Sequence, residues 1–242
     1  EYPDDCIVDF DMRLIDLFKE MDKKKLTLKM QIRQEYYRVK ELLDGKRPSR
    51  MDLFTYMDDE IYRICVSGSH AKENPFQHYL DFLYELGELS EDEHELYAGI
   101  GREFIQTIET TEMQKVYKMP ILYSFYNHGN IRLAVTDEEV LESWKEFFDT
   151  GTNWKDFPNV NTYEDYKKVT DKQHLSKAKR MPIRFLKASG KGFFVEKEGY
   201  ALALRDEIGD VVGNMAFGEQ MGDVLGYRSL EYYRRRYEKI EE

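Results

Sequence analysis

Residues 184–204 read RFLKASGKGFFVEKEGYALAL. The tetrad Ser189-Gly190-Lys191-Gly192 looks like part of a phosphate-binding loop. Such a loop needs G-x-x-x-x-G-K-[ST] between a strand and a helix, so that backbone amides wrap the phosphates and a hydroxyl holds magnesium. Here Lys191 is followed by Gly192, and the place of the first glycine is taken by Phe185. Phe193-Phe194-Val195 is strand material, and the segment before the tetrad has helical spacing, so the order is inverted as well. The stretch therefore reads as a turn into a β-hairpin. Gly192–Val195 is expected to pair with Tyr200–Leu204 across Glu196-Lys197-Glu198-Gly199, with Gly199 taking the positive φ such turns need. A short helix, a second helix and a hairpin follow one another in a winged helix. That order gives Lys187 and Lys191 a place at a DNA backbone. The alternative is a hairpin that only closes the core.

Working outward, RMPIRF (180–185) is the third of three proline-led segments. Lys46-Arg47-Pro48, Lys118-Met119-Pro120 and Arg180-Met181-Pro182 each precede an apolar helical turn. Proline suits a first helical turn because its missing N–H is not needed there. After the second and third segments a glycine turn leads to a strand-like run. Asn127-His128-Gly129-Asn130 precedes Ile131–Val135, and Ser189–Gly192 precedes Phe193–Val195. We read this as an internal repeat of unequal spacing, built from small helix–turn–helix modules.

Elsewhere apolar spacing predicts helices over 14–21, 32–43, 75–86, 94–108, 136–148 and 227–240, two short helices over 51–64, and a short strand or extended entry over 5–9. Asp44-Gly45 ends one of them with a left-handed cap, and Thr136 with Glu139 makes a capping box for another. In the last helix Leu230, Tyr233 and Tyr237 are expected to face inward. The fold class is thus mainly α, with winged-helix-like modules and short β-hairpins. The turn-rich GTNWKDFPNVNTY (151–163), with Trp154 and Phe157 tucked into a core, is the best boundary between an N-terminal helical region (1–148) and a winged-helix-like region (149–242).

Thirty-two tyrosines and phenylalanines among 242 residues exclude a disordered chain. No apolar run approaches a membrane span, and no basic start precedes an apolar stretch as in a signal peptide. Cys6 and Cys65, far apart, fit buried thiols in a reducing cytoplasm. The first residue is Glu1 rather than Met, so a fragment or processed chain is expected. HExxH, GxSxG and GxGxxG patterns are missing, and the five histidines lack metal-ligand spacing. The net charge of −11 argues against a surface that grips nucleic acid everywhere. The charge is uneven, however. Residues 85–112 hold nine acids and one base, whereas 166–191 hold nine bases and one acid. That asymmetry points to one face turned to nucleic acid and another turned away.

FDMRLIDLFKEM, YYRVKELLDGKRPSRMDLFTYMDDEIY, MPILYSFYNHGNI, SWKEFFDTGTNW and MPIRFLKASGKGFFVEKEGYALAL together resemble the region after the motor in bacterial DEAD/DEAH-box superfamily II helicases. The resemblance spans roughly 7–237 and includes none of the family's Walker A, DEAD/DEAH or arginine-finger motifs. It implies an accessory C-terminal region without ATPase activity of its own. ATP and magnesium would belong to the parent motor, and the partners would be DNA and the motor domains, with no membrane. The residues expected at DNA are Lys167, Lys168, Lys177, Lys179, Arg180, Arg184, Lys187 and Lys191 in the basic run. Arg234, Arg235 and Arg236, interleaved with tyrosines, join them from the last helix. The competing expectation is a protein-interaction scaffold that uses the acidic 85–112 face.

Overall fold

The computed structural model describes residues 26–241, so the readings over 5–9 and 14–21, and Cys6, lie outside the described residues. The chain divides into two compact units, 26–48 with 52–74 and 49–51 with 75–241. The fold is mainly helical, with one small antiparallel sheet.

The first unit contains α1 (Leu28–Leu42), most of α2 (Arg50–Tyr56) and α3 (Asp59–Val66). Ile32, Tyr36 and Val39 recur on one face of α1 and are buried with Leu53, Met57, Ile61 and Tyr62. Asp58 caps α3 by accepting from the amides of Glu60 and Ile61, and its own amide donates to Glu35 Oε2 at 2.9 Å. That bond, with Arg38 at 2.7 Å, explains how a carboxylate sits on the buried face of α1. Asp44 and Gly45 end the helix with φ of 55° and 80°. Cys65 is buried and free, and burial pushes its thiol up to about 12.

The second unit opens its helices with α4 (Tyr79–Leu86), α5 (Glu91–Ala98) and α6 (Ile100–Thr110). The single helix expected over 94–108 is two, because Gly99 adopts an extended conformation between α5 and α6. Next come α7 (Lys118–Tyr126), β1 (Ala134–Val135) and α8 (Asp137–Asp149), the last opened by the Thr136–Glu139 capping box. The short α9 (Tyr163–Lys167) leads to α10 (Asp171–Ala178) and α11 (Arg184–Ser189). The hairpin strands β2 (Phe194–Val195) and β3 (Leu202–Leu204) follow, and α12 (Met215–Glu241) closes the chain. No helix of the described residues is long and apolar enough to cross a membrane.

The strand order is β1-β3-β2, with Phe194 opposite Leu204, Val195 opposite Ala203 and Ala134 opposite Ala203. Both outer strands run antiparallel to β3. The second and third proline-led segments therefore deliver their strands to opposite edges of the same central strand. Over 118–204 the order is α7, β1, α8, α9, α10, α11, β2 and β3. The prolines themselves differ in position. Pro120 is in the first turn of α7, Pro48 precedes α2 by two residues, and Pro182 does not start a helix. Pro182 lies inside a π-helical turn, Lys179–Ile183, that carries α10 straight into α11. A proline in a helix interior removes a backbone donor and clashes one turn back, and a wider turn accommodates both effects.

The core of this unit gathers Phe104, Phe125, Trp144, Phe148, Phe194 and Phe217 from several helices and the sheet. Helix α12 packs on α5, α6 and α7. Its inward face differs from the expectation. Leu230 and Tyr237 are 47% and 42% exposed, while Arg228, Ser229 and Tyr232 are buried. The apolar pattern misleads because two inward positions are polar. Ser229 Oγ donates to Leu225 O at 2.8 Å, and Arg228 Nη2 donates to Thr111 O.

The deepest ion is Arg50, 0% exposed. Its Nε donates to Glu109 Oε1 at 3.0 Å, and Nη1 donates to Gln220 Oε1 at 2.7 Å and Asp223 Oδ2 at 2.8 Å. Asp223 also accepts from the amides of Arg50 and Met51. Gln220 in turn donates to Glu93, the capping-box residue of α5. Burial alone would lower the Arg50 pKa, but Glu109 and Asp223 outweigh it and hold the guanidinium charged.

Two measurements test this reading. Arg50→Ala leaves buried carboxylates unpaired and is expected to cost about 3–5 kcal/mol in urea unfolding, with Arg50→Lys recovering little because an ammonium has no fork. A loss below about 1 kcal/mol would refute the structural role of the ion. His174, 2% exposed, packs against Phe157 and Tyr166 at ring distances of 5.0 and 5.5 Å, and its Nδ1 has no hydrogen-bond partner. Burial, aided by Lys145 and opposed by Asp171 and Asp149, depresses its pKa below 6.5. A base depressed in the folded state binds more protons when unfolded, so its contribution is full above pH 6.5 and is lost as pH falls below that value. His174→Phe is expected to flatten the acid limb of the stability profile, and an unchanged limb would disprove the assignment.

Candidate nucleic-acid interface

The basic run lies on α9, on α10, the π turn and α11, and on the turn into the hairpin. Thr170 opens α10 with a capping box, accepting from the Gln173 amide, and the π turn joins α10 to α11 without a break. His174, Ala178, Pro182, Ile183 and Leu186 form the inward stripe of this joined helix. Spacings of three and four residues between buried positions leave the opposite face to Gln173, Arg180, Arg184 and Lys187, all exposed. Phe185, 49% exposed, lies beside Arg184 on that surface.

The turn into the hairpin closes with Lys191 at φ 50° and Gly192 at φ 79°. Gly190 is required there. A Cβ at this position would lie 2.5 Å from Leu186 O and 2.3 Å from the Phe194 ring. The turn thus presses the end of α11 onto β2, and Lys191 projects from it into solvent. In the hairpin loop Gly199 has the left-handed φ of 81°. This loop carries Glu196, Lys197 and Glu198, so it has no excess of positive charge.

The expected contact residues fall into two sets. Arg180, Arg184 and Lys191 are exposed and have no ion-pair partner among the described residues. Lys172, at the start of α10, is in the same state, although the sequence reading does not single it out. Its signal is its place in the first turn of the outward face, visible only once the helix start is fixed by Thr170. Lys177 is half-buried, its Nζ 5.1 Å from the centroid of the Tyr117 ring. Burial, then Arg180 and Lys115, lower its pKa, which marks a crowd of cations around this part of the helix.

The other cations have carboxylate partners. Lys179 lies 2.5 Å from Asp137 Oδ2, and Lys187 of α11 pairs with Glu196 of the hairpin loop. Lys167 reaches Asp149 at 3.3 Å and Lys168 reaches Asp165 at 3.2 Å. These pairs are exposed and weak, so they hold the side chains loosely. The last helix differs. Arg235 pairs with Glu231 and Arg236 with the buried Asp156, while Arg234 is half-buried. Arg236 also donates to Tyr232 Oη at 3.3 Å. Arg236 thus answers a charge inside the fold.

The acidic segment 85–112 is also partly internal. Glu109 belongs to the Arg50 network, and Glu93 both caps α5 and accepts from Gln220. Glu91 and Asp92 sit in the first turn of α5, where carboxylates complement the helix dipole. The remaining arrangement suits electrostatic work: an outward helix face with unpaired guanidinium and ammonium groups, held rigid from behind by a packed core.

No protein-family model matches this chain, and neither does any curated protein or any solved structure.

Proposed function

We propose that the segment 118–204 binds duplex DNA, with the joined helix 171–189 as its reading element. The observation that carries this is the set of exposed cations without an ion-pair partner among the described residues, Lys172, Arg180 and Arg184 on the joined helix and Lys191 in the turn after it, in a chain with a net charge of −11. A charge excess confined to one helix, against an acidic background, orients the chain toward a polyanion. A helix with its side chains is about 10–12 Å across and the major groove about 12 Å wide, so the element and the groove match. Arginine can bridge guanine O6 and N7, and lysine meets phosphate, so this face carries both kinds of contact. The hairpin loop, with two acids and one lysine, contributes little charge in this reading.

The resemblance to post-motor regions of DEAD/DEAH-box helicases supports a place for this segment. It would be an accessory DNA-holding region, with ATP hydrolysis left to a motor elsewhere in a parent chain. The protein-scaffold reading has less support, because Glu93 and Glu109 of the acidic segment are turned inward.

Fluorescence anisotropy with duplex, forked and single-stranded DNA over about 50–200 mM salt tests the proposal. Duplex affinity is expected to fall steeply with salt. The triple variant Arg180→Glu, Arg184→Glu, Lys191→Glu should flatten the slope of log K against log salt by about 0.9 for each phosphate no longer neutralised. Lys167→Glu with Lys168→Glu should change it less, since both lysines lie outside the joined helix. An unchanged affinity and slope in the triple variant would sink the proposal. Tighter binding to single strands than to duplex would overturn the major-groove assignment.

A further inference from the structure

A cavity of about 500 Å³ opens between α7, α8 and α12, apart from the basic helix face. That volume is in the range of sites for small molecules or single side chains, about 300–1,000 Å³. We propose that it binds an organic cation, held by aromatic faces and two uncompensated carboxylates.

Four aromatic side chains line the cavity. The Tyr123 ring lies edge-on to Tyr126 at 6.2 Å and tilted against Phe147 at 6.1 Å, and Tyr233 lines the cavity from α12. Aromatic faces are electron-rich and attract cations more strongly as water is excluded.

The polar lining decides the sign of the ligand. Arg132, the one arginine in the wall, is matched by Glu139 at 3.1 Å. The hydroxyls of Ser143 and Ser229 donate to Pro120 O and Leu225 O, and the Asn153 amide donates to Phe147 O, so these groups are committed within the fold. Glu142 and Glu146 remain. Glu142 has no ion-pair partner among the described residues. Among the described residues Glu146 has one ion-pair partner, His128 at 3.7 Å, a contact that is ionic only with a protonated imidazole. The two carboxylates are four residues apart on α8, where like charges repel across one helical turn. A cation between them relieves that repulsion, whereas a phosphate or carboxylate ligand would add to it. The cavity is therefore unsuited to the nucleic acid proposed for the basic helix.

An amine or guanidinium can come from a small molecule or from a side chain of a partner protein, and the test separates the two. Ligand-observed NMR titrations would use phenethylamine, its neutral counterpart phenethyl alcohol, and acetyl-arginine amide. Phenethylamine is expected to bind saturably and about tenfold more tightly than the alcohol. The double variant Glu142→Gln, Glu146→Gln should remove that preference while leaving the alcohol affinity and the melting temperature unchanged. Tighter binding of acetyl-arginine amide than of phenethylamine would support the site and assign the cation to a protein side chain; the reverse order would support the site and assign it to a free amine. Equal affinity for amine and alcohol, no saturable binding of either cation, or a preference that survives in the double variant would overturn the proposal.

Discussion

Arg50 is an ion without access to water, and much of the second unit is arranged to answer it. Its forked donors reach α6 through Glu109 and α12 through Gln220 and Asp223. Tyr79 of α4 places its ring 4.4 Å from the guanidinium carbon and its amide donates to Glu109 at 3.2 Å. A lone buried charge would be untenable, so these elements must be placed together or not at all. The network thus ties segments more than a hundred residues apart in sequence. It also fixes where α12 begins to pack, and α12 supplies one wall of the cavity.

The same matching of charge separates structural from available cations. Asp223, Glu109, Glu93 and Asp156 are carboxylates turned inward, and each has a cation or a donor to match it. Helices α10 and α11 invert that pattern. Their inward stripe is apolar apart from His174, so nothing inside the fold draws their arginines in, and Arg180 and Arg184 stay in solvent. The tyrosine-flanked arginines of α12 look equivalent in sequence. Arg236 is bound to Asp156, which follows Trp154 and Lys155 in the connection after α8. No local pattern marks that aspartate as buried.

Much of the local architecture is legible from residue chemistry. The Thr136–Glu139 box starts α8, Gly45 ends α1, and the hairpin pairs Phe194 with Leu204 across a turn with Gly199 at positive φ. Each depends on neighbours within a few residues. The expectations that fail depend on distant partners. Apolar character alone turns Leu230 and Tyr237 inward, but Arg228 occupies that face, with Thr111 O accepting from it. Pro182 reads as a helix start. It sits instead within a π turn whose flanks are held by the buried Ala178 and Leu186.

The sequence by itself determined a mainly helical chain, the hairpin at 192–204 and the concentration of positive charge over 166–191, because caps, turns and charge runs act over short separations along the chain. Tertiary structure alone decided that β1 joins that hairpin to give the order β1-β3-β2, that Arg50 is buried, and which cations remain unpaired. Strand pairing between residues 134 and 203, and an ion pair between residues 50 and 223, bring together groups that local sequence never compares. Burial is a property of the assembled core, and an ion's availability to a ligand is what remains after the fold has met its own charges.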